Sequence, residues 1–224
     1  MSLRIGLVGS RFAANFHAEC YHRLGPNSAH LAGVYSPTPT SRADFAKRHD
    51  LRAVSSLEEL LEISDVIDIC SPPYSHESCV IAAAEAGKHV IVEQPMANMS
   101  EGIERMISAA DRAGVALSPP YCWRAHPASR HIKRLVDGGV LGQLVALEGR
   151  LSAGSPARYD LDGISPWLNI KWLAGGGPMH NLGVHWIDLF RWMLDDEVES
   201  AVGMVSHLQP VSYTHLTLPR SDLV

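Results

Sequence analysis

The chain has 224 residues, 46% of them apolar, and a net charge of -5 with its 12 histidines neutral. At roughly 150 residues per domain that is enough for one to two ordinary buried cores, and the lack of basic excess argues against a nucleic-acid partner. No run of about 18 apolar residues occurs to span a membrane, the N-terminus enters a strand with no leader pattern, and a cytoplasmic place is expected. Four cysteines (Cys20, Cys70, Cys79, Cys122) without a C-x-x-C pair read as reduced, half-buried thiols.

Arg4 to Val8 is a β-branched run ending at Gly9, and the segment through Leu24 has helical spacing at Phe12, Phe16, Cys20 and Leu24. His30 to Tyr35 is a second strand, stopped by Ser36-Pro37-Thr38-Pro39, with a helix over Arg42 to Arg48. Leu57 to Ile63 reads as helix, Val66 to Cys70 as strand, Ser75 to Ala86 as helix, His89 to Val92 as strand, Glu101 to Ala113 as helix and Val115 to Ser118 as a short strand. Such alternation predicts an α/β fold with a parallel sheet covered on both faces, because parallel neighbours need a crossover.

Pro119-Pro120 then punctuates the chain, with a helix over Ala128 to Val136. Gln143 to Leu151 alternates imperfectly, as a strand of an antiparallel sheet solvated on one side would. His180 to Leu194 has helical spacing and Val198 to Val205 is again β-like. Residues 210–224 continue no pattern and are expected to be a non-native tail resembling translated sequencing adaptor. The expected division is residues 1–120, 121–209 and that tail.

Gly9-Ser10-Arg11-Phe12-Ala13-Ala14 occupies the place of a G-x-G-x-x-[GA] dinucleotide fingerprint, between first strand and first helix. Gly9 suits the tight turn and Ala14 close packing, while Arg11 stands where a glycine would let backbone approach the pyrophosphate; its guanidinium could fold onto a phosphate instead. After the second strand, Ser36 and Thr38 with Arg42 nearby suit a 2'-phosphate better than a carboxylate would, favouring NADP over NAD, or else Ser36 and Thr38 simply cap the next helix.

Two further strings, Glu93-Gln94-Pro95 and Gly175-Gly176-Gly177-Pro178-Met179-His180-Asn181-Leu182-Gly183-Val184-His185, resemble the active-site signatures of the Gfo/Idh/MocA oxidoreductases. The resemblance covers residues 3 to about 207 and implies a Rossmann-type doubly wound parallel sheet followed by a partial α+β domain. Because that domain normally continues for several more strands, its mainly antiparallel sheet is expected here to be incomplete. The family normally has lysine where Gln94 stands and often aspartate where Asn181 stands.

The resemblance further implies a nicotinamide-dependent oxidoreductase acting on a sugar, cyclitol or related polyol, as a homo-oligomer with no nucleic-acid or membrane partner. Ser71, Pro72 and His76 match its loop beside the nicotinamide half, Glu93 and Gln94 border the cofactor, and Arg124 could pair with phosphate or a substrate carboxylate. Tyr121, Trp123, Trp167, Asn169, Lys171 and Trp172 match positions that line a sugar pocket. Asn181 and His185, four apart on a helix, would share a face, with Asp188 orienting the helix or the histidine. Neither Gln94 nor Asn181 has a proton to lose near neutrality, so His185 is the expected acid/base, with Gln94 and Asn181 as hydrogen-bonding orienters. A cofactor binder without turnover, or an NAD-dependent glycosidase-like member, is the alternative. Five-residue separations (His126 and His131, His180 and His185) suit no metal.

Overall fold

The computed structural model describes residues 2–151, 167, 170–177 and 179–204. Two compact units emerge: Met1–Cys122 with Trp167–Val184, and Trp123–Pro166 with His185–Val224.

The first unit is built on five parallel strands in the order β2-β1-β3-β4-β5: β1 Leu3–Val8, β2 Ala29–Tyr35, β3 Val66–Ile69, β4 His89–Val92 and β5 Leu117–Ser118. All four residues of β3 are buried, as expected of a strand with helices on both faces. Alternate β1 residues show why. Leu7 packs with Ala14 and Ala18 of α1 (Phe12–Leu24) and with Phe45 and Ala46 of α2 (Pro39–His49). Its neighbour Val8 joins Leu60, Leu61, Val80 and Met106, from α3 (Leu57–Ile63), α4 (His76–Glu85) and α5 (Ser100–Ala113). Truncating a buried side chain such as Ile67, which is fully enclosed, costs about 2–5 kcal/mol in cores of this kind.

β1 sends its crossover through α1 to β2 on one side, while β3 lies on its other side. The carboxyl ends of the strands at this reversal form the crevice in which open α/β sheets bind ligands.

α1 forms where its spacing predicts, but with a different face inward. Phe12, Phe16 and Leu24 are 76%, 59% and 60% exposed, and the stripe against the sheet is Ala14, Ala18 and Tyr21. Small alanines let helix and sheet approach closely, which the larger Phe12 and Phe16 would prevent.

The second unit contains α6 (Pro127–Asp137), opened by His126, whose ring accepts from the Ala128 amide, and, after α7 (Lys171–Ala174) of the first unit, all but the first residue of α8 (Val184–Leu194). Neither 143–151 nor 198–204 is a strand. A strand is defined by its ladder, and no described segment pairs with either; Val145 and Val202 are 96% and 100% exposed. Val205 and residues 210–224 lie outside the described residues.

The expected single helix from His180 to Leu194 is also divided. Met179–Gly183 is a π-helical turn and α-helix begins only at Val184. The wider π period removes the basis for expecting Asn181 and His185 to share a face by four-residue spacing.

Candidate active site

Three loops at the carboxyl ends of the parallel strands carry the first unit's candidate residues, and three local devices hold them. The first is Gly9, at φ +113°, where a Cβ would lie 2.9 Å from the Cys70 carbonyl oxygen. Only glycine takes this conformation and this close approach together. The chain then turns into α1, whose N-cap Arg11 makes no side-chain cap bond. The Ser10 hydroxyl is turned toward those of Ser36 at 3.1 Å and Ser41 at 2.7 Å. Ser36 is buried, its carbonyl accepts from Arg42 Nη1 at 2.7 Å, and Thr38 is the N-cap of α2 without a side-chain bond.

The second device is His76, expected beside the cofactor. It is fully buried at the start of α4, with Nε2 2.6 Å from the Ser71 carbonyl oxygen and Nδ1 3.1 Å from that of Met96. Its ring is therefore spent on bracing the Ser71-Pro72 loop against the loop after β4. Burial draws its pKa down against the pull of those carbonyls.

The third is a polar network that sequence reasoning missed. His17, on α1, places Nδ1 2.8 Å from Asp68 Oδ2 and Nε2 2.9 Å from Glu93 Oε1. Tyr21 donates to the same Asp68 oxygen at 2.9 Å, and Glu93 Oε2 accepts from the Gln94 amide at 2.8 Å. Asp68 is fully buried. Burial works to lower the His17 pKa, but its bonds to Asp68, Cys70 and Glu93 outweigh this and hold it far above the ordinary histidine range. Burial, and then the Asp68 charge, pushes the Cys70 thiol up. His17, Asp68 and Cys70 bring one donor atom each within 4.8 Å of one another, a grouping compatible with a metal ion, which five-residue histidine spacings could not reveal. The cysteines are free, Cys20 and Cys122 being exposed and not half-buried as expected.

Gln94 precedes a cis peptide bond to Pro95. Its Oε1 is shielded from solvent and accepts no hydrogen bond among the described residues, the condition expected of a group that meets a ligand hydroxyl. Asn98, also missed, donates from Nδ2 to the carbonyls of Trp172 and Leu173 at 2.9 and 3.0 Å, tying the Gln94 loop to α7 (Lys171–Ala174). Trp172 is 74% exposed, Trp167 and Tyr121 are half-buried, and Asn169 lies outside the described residues, as does the Lys171 side chain. Asn181 stands half-buried in the π turn.

In the second unit, His185 is buried and stacked on Trp123, centroids 4.9 Å apart and planes 14° from parallel. Trp186 meets the same indole edge-on at 5.2 Å. Offset aromatic packing of this kind fixes an imidazole plane. Arg124, expected on a phosphate or carboxylate ligand, grips Asp188: Nε donates to Oδ2 at 2.8 Å and Nη2 to Oδ1. Asp188 is thereby committed to Arg124 and not to His185, since a planar guanidinium matches a carboxylate with two parallel bonds.

A glycine turn opening an uncapped helix, beside a serine cluster with no carboxylate at the end of β2, has the features of a dinucleotide site. The loops after β3 and β4 stand at the same carboxyl edge of the sheet, the arrangement of a Rossmann-type nucleotide-binding domain. The chain belongs to the GFO/IDH/MocA oxidoreductases: the family model described as an oxidoreductase family with an NAD-binding Rossmann fold matches residues 3–121, and the GFO/IDH/MocA C-terminal domain matches residues 129–218.

Levoglucosan dehydrogenase of Pseudarthrobacter phenanthrenivorans is 26% identical over 206 residues, covering 87% of this chain and 52% of the relative. Inositol 2-dehydrogenase of Cereibacter sphaeroides is 27% identical over 227 residues, covering 100% and 63%. The crystal structure of the WlbA dehydrogenase from Bordetella pertussis, in complex with NADH and UDP-GlcNAcA, superposes with TM-score 0.79 at 28% identity, covering 86% of this chain and 55% of that one. The chain spans about half the length of the first curated relatives it matches. No described helix is long and apolar enough to cross a membrane.

Proposed function

We propose that this protein is a nicotinamide-dependent oxidoreductase that moves a hydride to or from a sugar, cyclitol or related polyol. The observation that carries the reading is one side chain, His17, joining the helix of the Gly9 turn to the loop of Gln94. The cofactor's nucleotide end and the reacting end of a substrate are thus served by one braced framework. The relatives named for levoglucosan and inositol support the substrate class.

Gly9 and the first amides of α1 would hold the pyrophosphate. Ser36, Thr38 and Arg42 would take the adenine ribose. One Arg42 nitrogen is used by the Ser36 carbonyl, and the rest of the guanidinium suits a 2'-phosphate, so NADP is favoured over NAD. When bound, nicotinamide supplies or accepts the hydride.

Gln94 Oε1 accepts from a substrate hydroxyl, and Asn181 orients another, neither of them titrating. The acid/base role is assigned to His185 on the family resemblance, and within its own unit its plane is fixed by Trp123. Trp167, Trp172 and Tyr121 offer aromatic faces for a sugar ring, with Lys171 a further polar contact. Such an enzyme draws on the cytoplasmic nicotinamide pool, and the family resemblance supports a homo-oligomeric working form.

Titration of the purified chain with NADPH and NADH, followed by fluorescence energy transfer from tryptophan, tests the cofactor assignment, with tighter NADPH expected. A polyol panel then tests turnover. Binding of neither cofactor contradicts the proposal.

A further inference from the structure

The His17 network is more elaborate than packing requires. Its ring nitrogens face carboxylates from two different strands' ends, Asp68 on β3 and Glu93 after β4, at 2.8 and 2.9 Å. Both distances are those of charge-assisted N–H to carboxylate bonds. The doubly protonated ring donates to both partners at once, and two carboxylate neighbours favour that charged form. The other groups facing it are Tyr21 from the next turn of α1, which donates to Asp68, and Cys70, with Sγ 3.4 Å from Nδ1 and 3.5 Å from Asp68 Oδ1. His17 itself is 13% exposed.

The far end of the network is at Gln94. Glu93 uses one oxygen for His17 and the other for the Gln94 backbone amide, at 2.8 Å. The near end is on α1, five residues past its first residue, Phe12. We propose that His17, donating from both ring nitrogens, is a positioning residue for Gln94: it sets the loop after β4 against the helix of the nucleotide turn, so that occupancy of that turn and the pose of Gln94 are mechanically linked. His17 touches neither cofactor nor substrate in this role. It acts through Glu93, as orienting groups do around other catalytic centres. The catalytic and cofactor arms of the test rest on the oxidoreductase reading above, and the ring-proton and amide-exchange measurements on the free protein do not.

The test uses the whole chain, labelled with nitrogen-15, as wild type, His17→Gln and Glu93→Gln. In wild type both His17 ring nitrogens carry protons at pH 8, and NADH or NADPH shifts the Gln94 amide resonance. Either variant moves that resonance and accelerates its hydrogen exchange. In turnover with a reactive polyol kcat falls by about 10²-fold, the cost of a misplaced reacting group. Glu93→Gln cuts the link from the other end and leaves the His17–Asp68 bond, so it decides the matter should His17→Gln fail to fold. A single ring N–H on His17 at pH 8 overturns the proposal, as does a Gln94 amide indifferent to the Glu93 substitution, or a lowered Tm with kcat intact. Stoichiometric Zn²⁺ retained through dialysis, with His17 Nδ1 deprotonated, also overturns it and makes the cluster a metal site.

Discussion

Asn98 and His180, 82 residues apart in sequence, meet over Gly175: a Cβ at that glycine would lie 3.0 Å from Asn98 Oδ1 and 2.8 Å from His180 Nε2. Both atoms are shielded from solvent and make no hydrogen bond among the described residues. Gly175 has φ +76°, so the first glycine of the triple run is required both by conformation and by the two polar atoms that crowd it.

Gly175→Ala is therefore expected to destabilise the first unit by about 1–3 kcal/mol. Gly177→Ala, where a Cβ meets nothing within 4 Å, changes stability by no more than about 0.5 kcal/mol. Urea unfolding of the two variants checks the contrast. Equal losses would show that the glycine run is not anchored through Asn98 and His180.

The pH dependence of stability has two buried histidines of opposite sense. His17 has a raised pKa in the fold, so its contribution is fully present below about pH 6.5, the unfolded value, and declines as pH rises toward the folded one. His76 has a lowered pKa; its contribution is present above about pH 6.5 and is lost as pH falls through the folded value. Stability should peak near neutrality. On the alkaline side His17 contributes a slope of about 1.4 kcal/mol per pH unit. In His17→Gln this slope is expected to vanish while the acid limb stays, as denaturant midpoints between pH 5 and 9 would show.

In the second unit, Asp188 is 5% exposed and its partner Arg124 is 43% exposed. Removing Arg124 strands a buried carboxylate, so Arg124→Ala is expected to cost about 1–3 kcal/mol. Pairing it with Asp188→Asn recovers much of that loss, because the charge is gone. A double-mutant cycle measures it. Additive effects would mean that the two groups do not depend on each other.

The parallel sheet was legible because β1, β3 and β4 are short apolar runs carrying isoleucine and valine, with a helical segment between successive strands. The strands expected at 143–151 and 198–205 did not form over the described residues, because alternation reports which face a strand would bury but not whether a partner exists to form its ladder. On α1, the large residues Phe12 and Phe16 drew attention to the wrong stripe. Ala14, His17, Ala18 and Tyr21 follow the three- and four-residue spacing of the buried one, and a histidine within it was the available sign of the network. Its partners, 51 and 76 residues further on, were beyond local reading. Gly9 and Gln94 were singled out from motif context, whereas the pairing of Arg124 with Asp188 needed geometry, since an arginine near a proposed ligand says nothing of a carboxylate 64 residues away.

The most direct measurement follows an atom. A polyol carrying deuterium at its carbinol carbon is incubated with the protein and oxidised cofactor, and the reduced nicotinamide is examined by proton NMR. Deuterium on one face of the nicotinamide C4 is expected, at a rate that falls about 10²- to 10⁴-fold in His185→Ala. Tight cofactor binding with no transfer from any polyol would contradict the account, leaving a nucleotide-binding protein without turnover.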